Sequence, residues 1–441
     1  MKQALVVLLA TVVAGILPAP ALSQGDRITL DSHLNCPAVS TAGGHVFLRL
    51  SVAARPHRHV DRRPVNLCIV LDRSGSMREE SKMTFAKAAL NTLIDQLRSN
   101  DMFSLVIYDD VVEVVRQAAR VGHDRERIRS LVAEIEPRGW TNLGGGMQEG
   151  YRQVMRHADE EYVNRVVLLS DGLANQGITD PYRLEQIARR QREQSISLST
   201  VGVGLAYNEN LMVGLSEHGG GNYYFLESCR NLASVLRREF DQLGEVMAQN
   251  VVLELDLGRG VALLDAIGYD HHQDGSTVRI PIGDLGADET REIILELIVP
   301  AGEGTLAIAR GSLSGKGQVD AAGFGSFASS ITYETDAAKI EGQRDLAEQA
   351  KADIAVSTRN VGRAMEALDR GDKDGAAQML STAGNTLMAS PAAASVQGGA
   401  AIQEQIQRLR GYADTLQADA KDEGRAKKAI QYENYRQQKR R

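Results

Sequence analysis

The chain has 441 residues, enough for two or three domains. Its 43% hydrophobic and 24% charged content excludes a disordered or fibrous chain, and a net charge of −7 gives no basic footprint for nucleic acid.

Residues 1–23 read as a secretory signal: Lys2, an apolar core from Ala4 to Leu17, Pro18 and Pro20, then Ala21-Leu22-Ser23 as a small-x-small cleavage site before Gln24. The apolar core is short for a membrane span, and an uncleaved anchor is the alternative. The expectation is an exported protein, periplasmic or secreted, with no membrane span after cleavage. Residues 24–61 hold short strand-like runs, notably Val46 to Val52, where apolar and polar residues partly alternate. A basic, Pro-bounded linker from Arg55 to Pro64 follows. Its His57 and His59 share a side if extended, but a solvated linker is the expected reading.

From residue 62 to 248 strands and helices alternate. Apolar runs from Asn66, Met102, Arg165, Ile196 and Asn222 read as strands, with a short hairpin strand at Val111 to Val115. Helices are predicted over Lys82–Arg98, Arg125–Ile135, Leu143–His157, from a cap at Asp180 with Pro181 to Arg192, over Asn208–His218, and from Ser228 to Ala248. Right-handed crossovers make this a doubly wound, mostly parallel sheet of Rossmann-like α/β class. Residues 249–335 alternate with period two and read as a small antiparallel β-sandwich, which the strands of 24–61 are expected to join. The α/β unit is then an insertion. Residues 336–441 read as an α-helical C-terminal region. Ala364 to Leu380 is helix, Gly turn, helix, like half of a tetratricopeptide-type repeat. The tail from Lys421 to Lys439-Arg440-Arg441 reads as a frayed, solvated helix.

Three cysteines are present: Cys36, Cys68 and Cys229. Cys68 sits in the first strand of the α/β unit and reads as a buried thiol. Cys36 and Cys229 either pair or stand as two free thiols. No Cys-x-x-Cys or His-x-x-His spacing suggests zinc.

The chemistry gathers at strand ends. Leu67-Cys68-Ile69-Val70-Leu71 stops on Asp72-Arg73-Ser74-Gly75-Ser76. One carboxylate and two hydroxyls make a hard oxygen surface, suited to Mg²⁺ or Mn²⁺. Thr141 adds a hydroxyl in the loop Gly139-Trp140-Thr141-Asn142. A second apolar strand, Val166 to Leu169, ends in Ser170-Asp171-Gly172. Asp72-x-Ser74-x-Ser76, then Thr141, then Asp171-Gly172 resembles the metal-ion-dependent adhesion site of the von Willebrand factor type A (VWA) family. The resemblance covers roughly residues 62–247. Exported bacterial VWA proteins and the inter-alpha-trypsin inhibitor heavy chains are similar in layout.

The resemblance implies that Ser74, Ser76 and Thr141 give hydroxyl oxygens to the ion, directly or through water, while Asp72 and Asp171 balance its charge. It implies an open position for a partner protein's Asp or Glu carboxylate, and a shift of the last helix of the unit when that position fills. The function expected is a metal-dependent protein-binding module and not an enzyme. Alternatives are a metal-dependent hydrolase using the same ion and a metal-independent scaffold. No His lies near the motif in sequence to act as a base. His218 reads as a helix-end residue. His271 and His272, with Asp270 and Asp274, form a minor second-metal candidate. Gly144-Gly145-Gly146 at a helix start suggests anion binding only weakly, since no Lys accompanies it; these glycines are expected to let the backbone pass near the ion.

Overall fold

The computed structural model describes residues 28–55, 62–159, 161–317, 323–417 and 423–439. The signal reading of residues 1–23, the linker histidines His57 and His59, and Lys421, Arg440 and Arg441 lie outside the described residues.

The described residues begin with β1 (Ile28–Leu34), β2 (Ala38–Ser40) and β3 (Gly44–Ala54). A second unit follows: β4 (Val65–Asp72), α1 (Lys82–Gln96), β5 (Met102–Tyr108), β6 (Val112–Arg120), α2 (Arg125–Ala133), α3 (Leu143–Met155) and β7 (Val163–Ser170). It continues through α4 (Pro181–Glu193), β8 (Ile196–Val203), α5 (Glu209–Gly219), β9 (Gly220–Leu226) and α6 (Leu232–Gly244). Seven strands come next: β10 (Val246–Leu257), β11 (Ala262–Ile267), β12 (His272–Asp274), β13 (Thr277–Gly286), β14 (Thr290–Val299), β15 (Thr305–Gly317) and β16 (Ser326–Glu334). Among the described residues five α-helices follow: α7 (Ala337–Gly342), α8 (Leu346–Asp369), α9 (Lys373–Met388), α10 (Gly399–Gln417) and α11 (Glu423–Lys439).

The central sheet runs β6-β5-β4-β7-β8-β9, parallel except for the edge strand β6. All eight residues of β4 are buried. Side chains alternate across a strand, so Leu67, Ile69 and Leu71 enter the core under α1 and α6, while Cys68 and Val70 enter the core under α3 and α4. An apolar run without alternation is what a strand covered on both faces requires. From β4 the chain winds to β5 on one side, and β7 returns on the other. The crevice outside the carboxyl ends of β4 and β7 is the topological switch point, where open α/β sheets place ligands.

The remaining strands form two sheets, β1-β3-β14-β11 and β12-β13-β10-β15-β16-β2. Leu50, Val52, Leu253, Leu255, Ile293 and Leu295 fill the core between them. β3 pairs with β14 from Gly44–Val299 to Ala53–Thr290, so the α/β unit is spliced into a sandwich whose halves flank it in sequence. The joint is a buried charge node. Arg165, on β7, donates to Glu239 of α6, to Ser199 of β8 and to Asp284 of β13.

Several expectations need correction. The last helix of the α/β unit ends at Gly244 rather than Ala248, because Val246 already pairs with Gly286 in the sandwich. The hairpin strand β6 runs to Arg120, which pairs with Met102 across two register shifts. Cys36, Cys68 and Cys229 are all free and buried. Cys36 Sγ donates to the Ile340 carbonyl at 3.4 Å. Cys229 lies in the 3₁₀ turn before α6.

The tail differs most. As far as Lys439, α11 is docked rather than frayed. Its Tyr435 is buried, packs edge-on against Tyr223 at 5.6 Å and accepts the Tyr223 N–H at 3.1 Å. Lys428 donates to the Tyr207 carbonyl at 2.8 Å and pairs with Glu209, while Lys439 donates to the Gly268 carbonyl at 2.6 Å. The helix therefore touches both the α/β unit and the sandwich. Its lysines lay their stems along apolar surface and deliver their charge to acids and carbonyls.

Candidate functional site

Asp72 is the last residue of β4 and Asp171 follows β7, its neighbour in the sheet; both are fully buried. Asp72 Oδ1 accepts the Ser74 N–H at 2.8 Å and Oδ2 accepts the Ser170 hydroxyl at 2.9 Å. The first bond turns the chain back on itself and brings Ser74 and Ser76 over the strand end. Their hydroxyls lie 3.0 Å apart, and the Ser76 hydroxyl donates to Asp171 Oδ1 at 2.7 Å. Thr141 comes from a third loop. Its N–H donates to Asn175 Oδ1 at 2.9 Å, and its carbonyl accepts the N–H of Asn175 and of Gln176, which ties it to the loop after Asp171. A Cβ on Gly172 would stand 3.5 Å from Thr141 Oγ1 and 3.9 Å from Ser76 Oγ, so the hydroxyl face of the site is shut against that backbone. The Gly75 N–H donates to the Gly139 carbonyl at 3.1 Å, locking the first loop to the loop of Thr141. All five sequence-predicted positions meet at the switch point.

The electrostatics are tense. Burial, and then the neighbouring Asp171 charge, push the Asp72 carboxyl up to about 6 against the bonds from Ser74 and Ser170. Tyr108, beneath the site, is pushed well above its ordinary value by burial and by Asp72; its hydroxyl donates to the Leu169 carbonyl at 3.0 Å. Lys82 Nζ donates to Asp171 Oδ2 at 2.7 Å. Burial disfavours that ammonium, but the bond and charge of Asp171, with Glu79 and Glu80, hold it above its ordinary value.

Sequence reasoning missed Lys82, Ser170, Tyr108 and Asn175. Ser170 was legible as a hydroxyl beside the second acid. Lys82 had a weaker signal, a cation opening a helix six residues beyond Ser76. The glycine run has a packing role that the sequence did not announce. A Cβ on Gly146 would lie 2.6 Å from Tyr108 Cδ1, and one on Gly144 would lie 2.7 Å from the Ile178 carbonyl oxygen. These glycines let α3 press onto the sheet and the neighbouring loop. His218 sits at the last turn of α5, near Glu185 and Asp270. Asp270 also pairs with Arg189, and with His271 and His272 it builds no metal-holding cluster among the described residues.

Two buried carboxylates, three hydroxyls and no sulfur or imidazole make a donor set for a small hard divalent ion. The donors fit such an ion: excess negative charge is buried, and hydroxyls converge at its mouth.

The fold is that of a VWA domain. Residues 66–238 match the family model for the von Willebrand factor type A domain. The chain is 28% identical over 257 residues to the uncharacterized protein YfbK of Escherichia coli (strain K12), covering 57% of this chain and 44% of that protein. It is 25% identical over 228 residues to inter-alpha-trypsin inhibitor heavy chain H3 of Mesocricetus auratus, covering 49% of this chain and 25% of that protein. The matches thus span half or less of these relatives. Among solved structures, a von Willebrand factor type A protein from Catenulispora acidiphila superimposes with a TM-score of 0.68 at 19% identity, over 88% of this chain and 90% of that one. The ArnB paralog VWA2 from Sulfolobus acidocaldarius gives 0.60 at 16% identity, over 94% and 98%. The fold likeness therefore extends beyond the VWA domain to the sandwich and helices.

Proposed function

We propose that this protein is an exported protein-binding module whose VWA site holds Mg²⁺ (or Mn²⁺) and bridges through it to an Asp or Glu carboxylate of a partner protein. Ser74, Ser76 and Thr141 would hold the ion by their hydroxyl oxygens, and Asp72 and Asp171 would balance its charge. The ion supplies a hard electrophile with room for one more oxygen ligand. The observation that carries this reading is the meeting of five oxygen-bearing side chains from three separated loops over two buried carboxylates. The surroundings favour a protein as the partner. Trp140, Leu173 and Leu205 are 64%, 56% and 45% exposed. Trp140 and Leu173 adjoin Thr141 and Gly172, while Leu205 follows Gly204, whose added Cβ would lie 3.6 Å from Lys82 Nζ. A rim of exposed apolar side chains around a polar socket has the anatomy of a protein-binding patch. Export rests on the signal reading of residues 1–23; among the described residues no helix is long and apolar enough to cross a membrane.

The test is calorimetric. Wild-type protein and the Asp171→Ala variant are titrated with Mg²⁺ and Mn²⁺, with and without a short Glu-containing peptide and its Gln counterpart. The expected result is metal uptake by the wild type alone, tightened by the Glu peptide. No uptake under any condition would overturn the reading, and a partner interaction that survives chelation would favour a metal-independent scaffold.

A further inference from the structure

Lys82 contradicts its local surroundings. It is the first residue of α1, where a cation faces the positive end of the helix dipole. The helix has no acid in its first turn, and its N-cap Ser81 makes no side-chain cap bond. Glu80 and Ser81, just before it, hold left-handed φ values of 50° and 59°, a strained conformation for residues with a Cβ. The side chain is 8% exposed, deep burial for an ammonium. These costs are retained for one contact: Nζ lies 2.7 Å from Asp171 Oδ2, on the carboxylate whose other oxygen takes the Ser76 hydroxyl. Local rules broken together at one residue mark a functional constraint.

We propose that Lys82 is a specificity-determining residue of the adhesion site, a fixed counter-charge that weakens uptake of the bare cation and strengthens capture of a carboxylate by the loaded site. The inference rests on the function proposed above and extends it. Among the buried charges, Asp72 and Asp171 bring two negative and Lys82 one positive, while Glu79 and Glu80, which also face Lys82, are exposed and screened by water. A divalent cation takes the site to one net positive charge, and a partner's carboxylate takes it to zero. Without Lys82 the loaded site is neutral, and the incoming carboxylate leaves an excess negative charge in a buried place. The ammonium therefore weakens uptake of the bare ion and favours the ion with its carboxylate. By linkage the effect is reciprocal: the carboxylate tightens the cation as much as the cation tightens the carboxylate.

The experiment measures Mg²⁺ affinity calorimetrically for wild type, Lys82→Met and Lys82→Arg, in acetate and in chloride at matched ionic strength, with acetate as the carboxylate probe. In chloride, Lys82→Met is expected to bind Mg²⁺ about tenfold or more tightly than wild type, the effect of removing one like charge from a partly buried site. Acetate is expected to tighten Mg²⁺ in wild type and Lys82→Arg, and to do so several-fold less in Lys82→Met. Equal or weaker Mg²⁺ binding by a folded Lys82→Met, or an acetate effect in it as large as in wild type, overturns the proposal. Should Lys82→Met fail to fold, the wild type decides: an Mg²⁺ affinity indifferent to acetate overturns it as well. Wild type that takes up no metal at all refutes the adhesion site itself, whereas wild type that takes up metal with Lys82→Met matching it refutes only the role of Lys82.

Discussion

Strand β7 carries a buried charge cluster at each end, and the two have the same formal composition. At its amino end Arg165 meets Glu239 and Asp284; beyond its carboxyl end Lys82 meets Asp171, whose charge bears on the neighbouring Asp72. Each holds one cation and two carboxylates. Their surroundings differ. Glu239 takes Arg165, Ser199, Asn222 and Tyr224, and Asp284 takes Arg165, Ser197 and the Asn250 N–H. Burial alone would raise the Glu239 carboxyl, but Arg165 first, then its hydrogen-bond donors, hold it below its ordinary value. At the other end burial and Asp171 win, and Asp72 is raised to about 6. Saturation with donors makes a clamp; carboxylates crowded together beside strained loops make a socket.

The largest effect expected from breaking this contrast is at the clamp. Arg165→Met would leave two buried carboxylates without their cation, at a cost of about 3–5 kcal/mol in denaturant unfolding, with or without Mg²⁺. Acid reads the same cluster. A carboxyl held below its ordinary value lends stability that is complete above its unfolded value of 4.5 and lost as pH falls through the lowered folded value. Wild type should therefore lose stability below about pH 4.5 more steeply than Arg165→Met does. Parallel pH–stability curves for the two proteins would remove the clamp as its cause.

A smaller effect of opposite sign is expected at the socket. Asp72→Asn removes a buried charge that its neighbours disfavour, while the amide still accepts the Ser74 N–H and can donate to the Ser170 hydroxyl. The metal-free protein should gain roughly 1 kcal/mol in thermal unfolding and lose any stabilisation by Mg²⁺. Destabilisation of the metal-free variant would mean that Asp72 is a structural acid like Glu239.

The two clusters also differ in how far sequence could reveal them. Asp72, Ser74 and Ser76 lie within five residues at the end of an apolar run, so spacing and strand end point to one place. Thr141 and Asp171 were legible because each closes a loop or strand of an alternating α/β pattern. Arg165 was legible only as the start of a strand, since its partners Ser199, Glu239 and Asp284 are 34, 74 and 119 residues away. Lys82 was legible only as the start of a helix, because its burial depends on a carboxylate 89 residues later. In α11 the charges masked the signal: Tyr432 and Tyr435 stand one turn apart and meet Tyr223, a contact no local period announces.

The smallest expected effect concerns α6. The family resemblance implies that this helix moves when the socket captures its ligand, and α6 runs almost directly into β10 of the sandwich. Yet α6 carries Glu239, which is bonded to Arg165, and Arg165 is bonded in turn to Asp284 of β13. A displacement of the helix that changed the interdomain angle would have to separate these groups. The ligand would then need to favour the moved state by the worth of the clamp, a differential affinity on the order of 10²–10⁴-fold. Solution scattering of wild type with Mg²⁺ should therefore superimpose on the profile with Mg²⁺ plus a Glu peptide. In Arg165→Met, where the restraint is gone, the two profiles are expected to separate. A wild-type profile that shifts on adding the peptide would show that the clamp yields to the socket, and the division of labour along β7 would have to be abandoned.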